Sequence, residues 1–380
     1  MKVVLQHLIH FFLHLLFILP VDKKKIYFVS FNGKQYSCNP KYLYEYLLKN
    51  RKNEFSYVWE FQDTGKAALV PDAKVVKRLS FASVIQMMTA GYIVTNSDFK
   101  WYIPLRKNQF LLETWHGGGA YKRVGFDVDY SKSEMLAQSR SSRKVSLYLS
   151  SSAKFTNVQS KAKGVPDTVF FPSGLPRNDL FFHDTQDLIL HVKNSLKVQE
   201  DCHLVLYAPT HRIANDGTYH SVFESSGDFS VEQILSTLIK KFGGAWKFLY
   251  RGHYFEKQFC NGDNNWIDVS LYEDMQKLLA ASDVLITDYS SCMWDFALTN
   301  KPGFLYVPDL QEYENNRNFY THPSSWAYPI AVSCKSLCEN IMRYEYESSV
   351  AKINKHLKEL GSYEKGTACE QVVNIVFADK

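Results

Sequence analysis

The sequence predicts an α/β protein of two halves, each a mostly parallel sheet with helices on both faces, and a cleft between them. Three observations lead there. From Lys25 onward short apolar runs alternate with helical segments, the pattern of strand–helix units. The alternation halts near Phe170-Phe171-Pro172-Ser173-Gly174-Leu175-Pro176, where two prolines and a glycine mark a domain edge, and then restarts. The chain has 380 residues, enough for two ordinary domains. The implied divisions are residues 1–22 as an amphipathic or membrane-associated helix, 23–184 as a first α/β domain, and 185–380 as a second with terminal helices.

Val3 to Leu19 is apolar apart from Gln6, His7, His10 and His14. That run is short for a membrane span, which needs about 20 residues. The three histidines share one helical face opposite Leu5, Phe12, Leu16 and Leu19, a pattern that suits a helix lying in the membrane interface. Packing on the protein is the ordinary alternative. Lys23-Lys24-Lys25 follows the apolar run, the reverse of a secretory signal, and, should the segment span, places the main body on the cytoplasmic side.

In the first half, Ile26–Val29, Tyr57–Trp59, Tyr92–Thr95, Phe110–Glu113 and Leu147–Ser150 read as strands, with helices at Tyr42–Lys49 and Phe81–Thr89. In the second, strands are expected at Leu204–Ala208, Lys247–Tyr250, Ile267–Val269, Val284–Ile286 and Phe304–Val307. Helices fall between them at Val231–Lys241, Tyr272–Ala280 and Cys292–Thr299. Ala214–Ser230, rich in glycine and serine, reads as a surface loop. From Lys335 the pattern is helical, with a last strand at Val372-Val373.

The formal net charge of +5 is dispersed, which leaves no nucleic-acid footprint and suits an anionic membrane or a phosphorylated substrate. Seven cysteines, scattered and odd in number, argue for reduced thiols. Cys334 and Cys338 lack a second pair to complete a zinc site and read as packing residues. No phosphate-binding Gly-x-x-x-x-Gly-Lys loop, nucleophile elbow or metal-spaced carboxylate cluster occurs.

Four strand ends carry the chemistry, all at the edge where open α/β sheets bind ligands. Glu113-Thr114-Trp115-His116-Gly117-Gly118-Gly119 sets a histidine directly after a strand, with glycines that let a ligand approach. His116 is the candidate base, the bland alternative being a turn histidine bonded to backbone. Tyr207-Ala208-Pro209-Thr210-His211-Arg212 offers Thr210 and Arg212 to a phosphate. Arg251-Gly252-His253 offers two cations. Thr287-Asp288-Tyr289-Ser290-Ser291 lies between a buried strand and a helix, a natural phosphate site, although one hydroxyl there could be only a cap. Asp309, Glu312, Tyr313 and Arg317 follow the last strand and could line the same cleft. Glu273 and Asp274 suit a helix dipole. One histidine facing a nest of hydroxyls and cations suits transfer of a phosphorylated group with the charge neutralised by protein.

Trp115-His116-Gly117, Pro176-Arg177-Asn178-Asp179, Tyr207 to Arg212, Arg251-Gly252-His253, and Ile286 to Ser291 with Asp295-Phe296 resemble, in that order, the CDP-glycerol glycerophosphotransferase family of teichoic acid and capsule polymerases. The resemblance covers roughly Tyr92 to Tyr320. It implies two Rossmann-like domains facing a cleft, the glycosyltransferase-B type, working at the inner face of the bacterial membrane as a peripheral protein. It implies a CDP-alditol donor, glycerol or ribitol, and a lipid-linked or polymeric glycan acceptor. His116, Arg251 and His253 would then act in catalysis. Thr210, Arg212, Thr287, Ser290, Ser291 and Arg317 would hold the donor, with Asp288 ordering its loop, and Gly117, Gly118 and Lys122 would face the acceptor. CDP-glycerol enters as a substrate and no cofactor is implied, with a need for magnesium left open. Gly118-Gly119 stands where the family has Thr-Pro, the loop toward Lys122 is one residue longer, and His211 stands where Trp is usual. These departures fall near the acceptor side. Rival readings are a nucleotide-sugar glycosyltransferase of the same fold and an inert nucleotide-binding membrane partner.

Overall fold

The computed structural model describes residues 2–128, 131–210, 212–213, 219–220, 228–252, 266–316 and 318–378. The chain divides into two compact units, one of Met1–His116, Val124–Asp179 and Tyr363–Lys380, the other of Gly117–Arg123 and Leu180–Ser362. Each is built on its own parallel sheet.

In the first unit the strands are β1 (Asp22–Val29), β2 (Ser56–Phe61), β3 (Lys74–Lys77), β4 (Ala90–Thr95), β5 (Phe110–Glu113), β6 (Leu147–Leu149) and β7 (Phe170–Phe171). They are all parallel, in the order β3-β2-β1-β4-β5-β6-β7. The chain starts at β1, runs outward one way, and returns to β4 to run the other, so the switch point lies between β1 and β4. Alternation sorts the side chains. Ile26 and Phe28 join Trp59, Val94 and Leu112 in one core, whereas Tyr27 joins Val58, Ile93 and Leu111 in the other.

In the second unit the strands β8 (His203–Ala208), β11 (Trp246–Tyr250), β12 (Trp266–Asp268), β13 (Val284–Thr287), β14 (Gly303–Tyr306) and β15 (Ile330–Ala331) form the order β12-β11-β8-β13-β14-β15. Here the switch point falls between β8 and β13. A separate antiparallel pair joins β9 (Arg212–Ile213) to β10 (Tyr219–His220). Tyr219 and His220 are thus in a strand, not in the expected loop, most of which lies outside the described residues.

One expected strand needs correction. Val372 and Val373 lie in a helix, Ala368–Val376, not a strand. The Asp179 carboxylate accepts the Ala368 and Cys369 N–H groups at 2.8 and 2.7 Å, which caps that helix. Val372, Val373, Val376 and Phe377 then pack into the core of the first unit, so the tail from Tyr363 belongs there although it follows the second sheet in sequence. Gly117–Arg123 belongs with the second unit because Lys122 bridges Phe319 and Tyr320 N–H donates to Tyr121 O at 2.9 Å.

In α1 (Lys2–Leu15) the histidine stripe only partly meets the protein, with His7 and His14 exposed and His10 half-buried. His10 Nδ1 bonds to the Tyr102 carbonyl at 3.0 Å and the His7 ring lies 4.8 Å from that of Trp101. The apolar residues Val4, Leu5, Phe11, Phe12 and Leu15 are exposed, and Ile18 in the following turn is 88% exposed. Among the described residues no helix is long and apolar enough to cross a membrane.

Candidate active site

His116 follows β5 in the first unit, beside the switch point. Asn96, directly after β4, bridges that point: its Oδ1 accepts the Phe31 N–H at 2.7 Å and its Nδ2 donates to Ser30 Oγ at 3.2 Å. Its carbonyl lies 2.7 Å from His116 Nδ1. A carbonyl can only accept, so the proton of the neutral ring sits on Nδ1 and Nε2 carries the lone pair. No described residue bonds to Nε2. Burial, with the Arg177 charge adding to it, pushes the His116 pKa down to about 4 against the opposing Asn96 bond. The ring is therefore neutral at physiological pH.

The backbone that presents this ring is held in an unusual conformation. Trp115 has φ +53, a left-handed geometry rare for a large side chain. Asn39 Nδ2 donates to the Thr114 and Trp115 carbonyls at 3.1 and 2.9 Å, and Asn39 Oδ1 accepts the Arg177 N–H at 3.1 Å. Buried Arg177 donates from Nη1 to the His116 carbonyl at 2.7 Å. Lys163 Nζ, ion-paired to Asp98 at 2.6 Å, lies 4.2 Å from the centre of the Trp115 indole. Glu113 accepts the Trp115 N–H at 3.1 Å, and burial raises its pKa well above the carboxylate range. Asn39, Asn96 and Arg177 escaped sequence reasoning as site residues. The available signals were polar Thr95-Asn96-Ser97 ending an apolar strand and Arg177 inside the Pro-Arg-Asn-Asp motif.

In the second unit Asp288 ties the two strands of the switch point together. It is fully buried, accepts the Thr210 N–H at 2.8 and 2.9 Å and the Thr210 hydroxyl at 2.7 Å, and takes the Tyr289 N–H at 2.5 Å. Thr287, also fully buried, donates its hydroxyl to the Ala208 carbonyl at 2.7 Å. The hydroxyl protons of Thr210 and Thr287 thus fasten loop to loop. Ser290 and Ser291 are partly exposed at the start of Cys292–Ala297. Ser290 Oγ accepts the Cys292 N–H at 3.4 Å, and Ser291 makes no side-chain cap.

Arg251, at the end of β11, donates from Nη1 to the Val269 and Tyr272 carbonyls at 3.1 and 2.6 Å. Its Nε and Nη2 make no bond among the described residues. Burial lowers its pKa to about 10, so it stays charged at neutral pH. Asp309 accepts the Tyr289 hydroxyl at 3.0 Å, and Tyr313 stacks on Tyr289 with centroids 4.0 Å apart. Both therefore brace the Asp288 loop, and Glu312 is exposed. Asp274 caps its helix by accepting the Gln276 N–H at 3.1 Å.

Gly118 is buried, and a Cβ there would overlap the Trp294 indole. Its lack of a side chain is required by that packing within the unit. Gly117 and Lys122 are partly buried. His253, Arg317 and the side chain of Arg212 lie outside the described residues. Among the described residues no group of three or more His, Cys, Asp or Glu could hold a metal ion.

Two parallel α/β units, each with polar groups at the carboxyl edge of its switch point, define the glycosyltransferase-B-like class. A putative UDP-N-acetylglucosamine 2-epimerase from Listeria monocytogenes, at 11% identity, shares that fold with TM-score 0.54 over 94% of this chain and 96% of its own. Within the class, the chain belongs to the CDP-glycerol:poly(glycerophosphate) glycerophosphotransferase family, whose model matches residues 11–378. The teichoic acid poly(glycerol phosphate) polymerase of Bacillus spizizenii is 30% identical over 94% of this chain and 92% of its own length. Against its Bacillus subtilis namesake, also 30% identical over 94% of this chain, the match spans 49% of the relative. A histidine variant of the wall teichoic acid polymerase TagF soaked with CDPG superposes with TM-score 0.85 at 27% identity, over 99% of this chain and 94% of the other.

Proposed function

We propose that this chain transfers glycerol phosphate from CDP-glycerol to an acceptor hydroxyl of a teichoic acid or capsular polymer and releases CMP. The observation that carries the reading is the fixed tautomer of His116: Nδ1–H donates to Asn96 O at 2.7 Å, which leaves Nε2 as a proton acceptor. The acceptor oxygen attacks the glycerol-bearing phosphorus, its proton passes to Nε2, the bond to the CMP oxygen breaks, and CMP leaves with the electron pair. A pKa of about 4 makes a weak base in the free protein; the negative donor phosphate raises it on binding. The free edge of Arg251 and the hydroxyls of Ser290 and Ser291 stabilise the leaving phosphate, with Asp288, Thr287 and Thr210 holding their loops in register. Family resemblance assigns His253, Arg212 and Arg317 to the same donor, and Gly117 and Lys122 to the acceptor.

In this reading the negative charge is met by protein and needs no metal, so EDTA leaves CMP release unchanged. The exposed apolar side of α1 supports peripheral attachment to the inner membrane surface, where a lipid-linked acceptor is presented. The deciding experiment is CMP release by the full chain with CDP-glycerol, CDP-ribitol or a UDP-sugar, with and without acceptor. The expected result is turnover with CDP-glycerol, falling about 100-fold or more in His116→Ala while CDP-glycerol still binds. Unchanged turnover in that variant removes His116 from the mechanism, and turnover with a UDP-sugar alone overturns the reaction.

A further inference from the structure

A cavity of about 630 Å³ opens at the amino ends of β1, β4 and β5 in the first unit, the sheet edge opposite the one that carries His116. Its rim carries Lys23, Lys24 and Lys107, and its floor Phe55, Tyr92 and Phe377. The floor is one packed aromatic cluster, with Tyr92 4.9 Å and Phe55 5.8 Å from Phe377 between ring centroids. Among the described residues the one acid on the rim, Glu54, is paired with Arg51, whose Nε lies 2.6 Å from its carboxylate oxygens. The three lysines are exposed, and of them only Lys24 acts on Glu54, behind Arg51. Cations above an aromatic floor take a ligand with an anionic head and an apolar or polyol body.

The source of such a ligand is set by what adjoins the cavity. Arg106, next to Lys107, donates to the carbonyls of Leu16 and Leu19, at the foot of α1. Lys23 lies five residues beyond exposed Ile18, within about 18 Å even if the chain is fully extended. We propose that this cavity binds the phosphodiester head group of an anionic phospholipid, with the lysines on the phosphate and the rings against the glycerol and first methylenes. The inference rests on the membrane reading of α1 only for the source of the ligand.

The test therefore uses monomeric short-chain phosphatidylglycerol, below its micelle concentration, titrated into the full chain by calorimetry. Saturable one-to-one binding is expected. In K23Q/K24Q/K107Q the Kd rises at least tenfold, whereas in K132Q/K154Q/K161Q, which removes equal charge from the same unit, it stays within twofold. Unshifted melting temperatures show that both variants fold. Equal loss in the two variants, absence of saturable binding, or equally tight binding of an acyl-free glycerophosphate oligomer overturns the proposal. The α1 reading fails separately, if Phe11→Ser/Phe12→Ser leaves sedimentation with vesicles intact. The transfer reaction fails separately again, by the CMP assay.

Discussion

Replacing Asp288 with Ala would remove the carboxylate that joins the β8 and β13 loops. Three donors converge on it: the Thr210 N–H, the Thr210 hydroxyl and the Tyr289 N–H, at 2.5 to 2.9 Å. Hydrogen bonds to a charged acceptor contribute about 1.5–3 kcal/mol each, and a buried donor left alone costs about 1–3 kcal/mol. The hydroxyl can rotate to a new partner, whereas the two amides are fixed by the strands. The expected loss is therefore about 3–5 kcal/mol. For a unit of this size each kcal/mol lowers the melting temperature by about 2–4 °C, so the second unit should melt roughly 6–20 °C earlier. Differential scanning calorimetry reads the shift, and CDP-glycerol binding at low temperature reads whether the loops still present Ser290 and Ser291. Asp288→Asn, which keeps one acceptor oxygen, should fall between wild type and Ala. Melting of the Ala variant within 1 °C of wild type, with donor binding intact, would refute the claim that this carboxylate frames the site.

Gly118→Ala should destabilise the second unit by at least about 1–3 kcal/mol, because its methyl meets Trp294; thermal melting checks this, and Trp294→Ala in the same chain should relieve part of it. Arg177→Lys loses the bond to the His116 carbonyl and should lower kcat about tenfold with little change in the KM for CDP-glycerol, as steady-state kinetics would record. His116 is depressed from its ordinary pKa to about 4, so the unfolded chain takes up this proton first as pH falls. The group's contribution to stability is complete above about pH 6.5 and is lost between there and pH 4. Urea midpoints for wild type should thus fall more steeply over that window than those of His116→Gln.

Much of the sheet framework was legible because buried parallel strands are continuous apolar runs. Phe110–Glu113 and the helix Phe81–Thr89 fall where the pattern sets them. β3 was not, since Lys74-Val75-Val76-Lys77 is an edge strand with a lysine at each end. Val372-Val373 misled because two β-branched residues favour a strand locally, whereas the Asp179 cap and the core of the first unit favour a helix. Within the site, a histidine after a strand was visible. What holds it was less so. Asn39, Asn96 and Arg177 come from three other elements, and nothing local links an asparagine on one helix to an arginine far downstream. The glycines were visible, but the reason for Gly118 is the indole of Trp294, far along the chain in the helix Cys292–Ala297.

The helix Ala368–Val376 also bears on how the molecule is made. A ribosome that has completed every strand of the first sheet has still not delivered Val372, Val376 or Phe377, so Phe55 and Tyr92 stay wetted through synthesis of the whole second unit. Early independent maturation of the front of the chain is thereby disfavoured, and a nascent chain halted anywhere before the last helix carries an open greasy face that a chaperone would recognise.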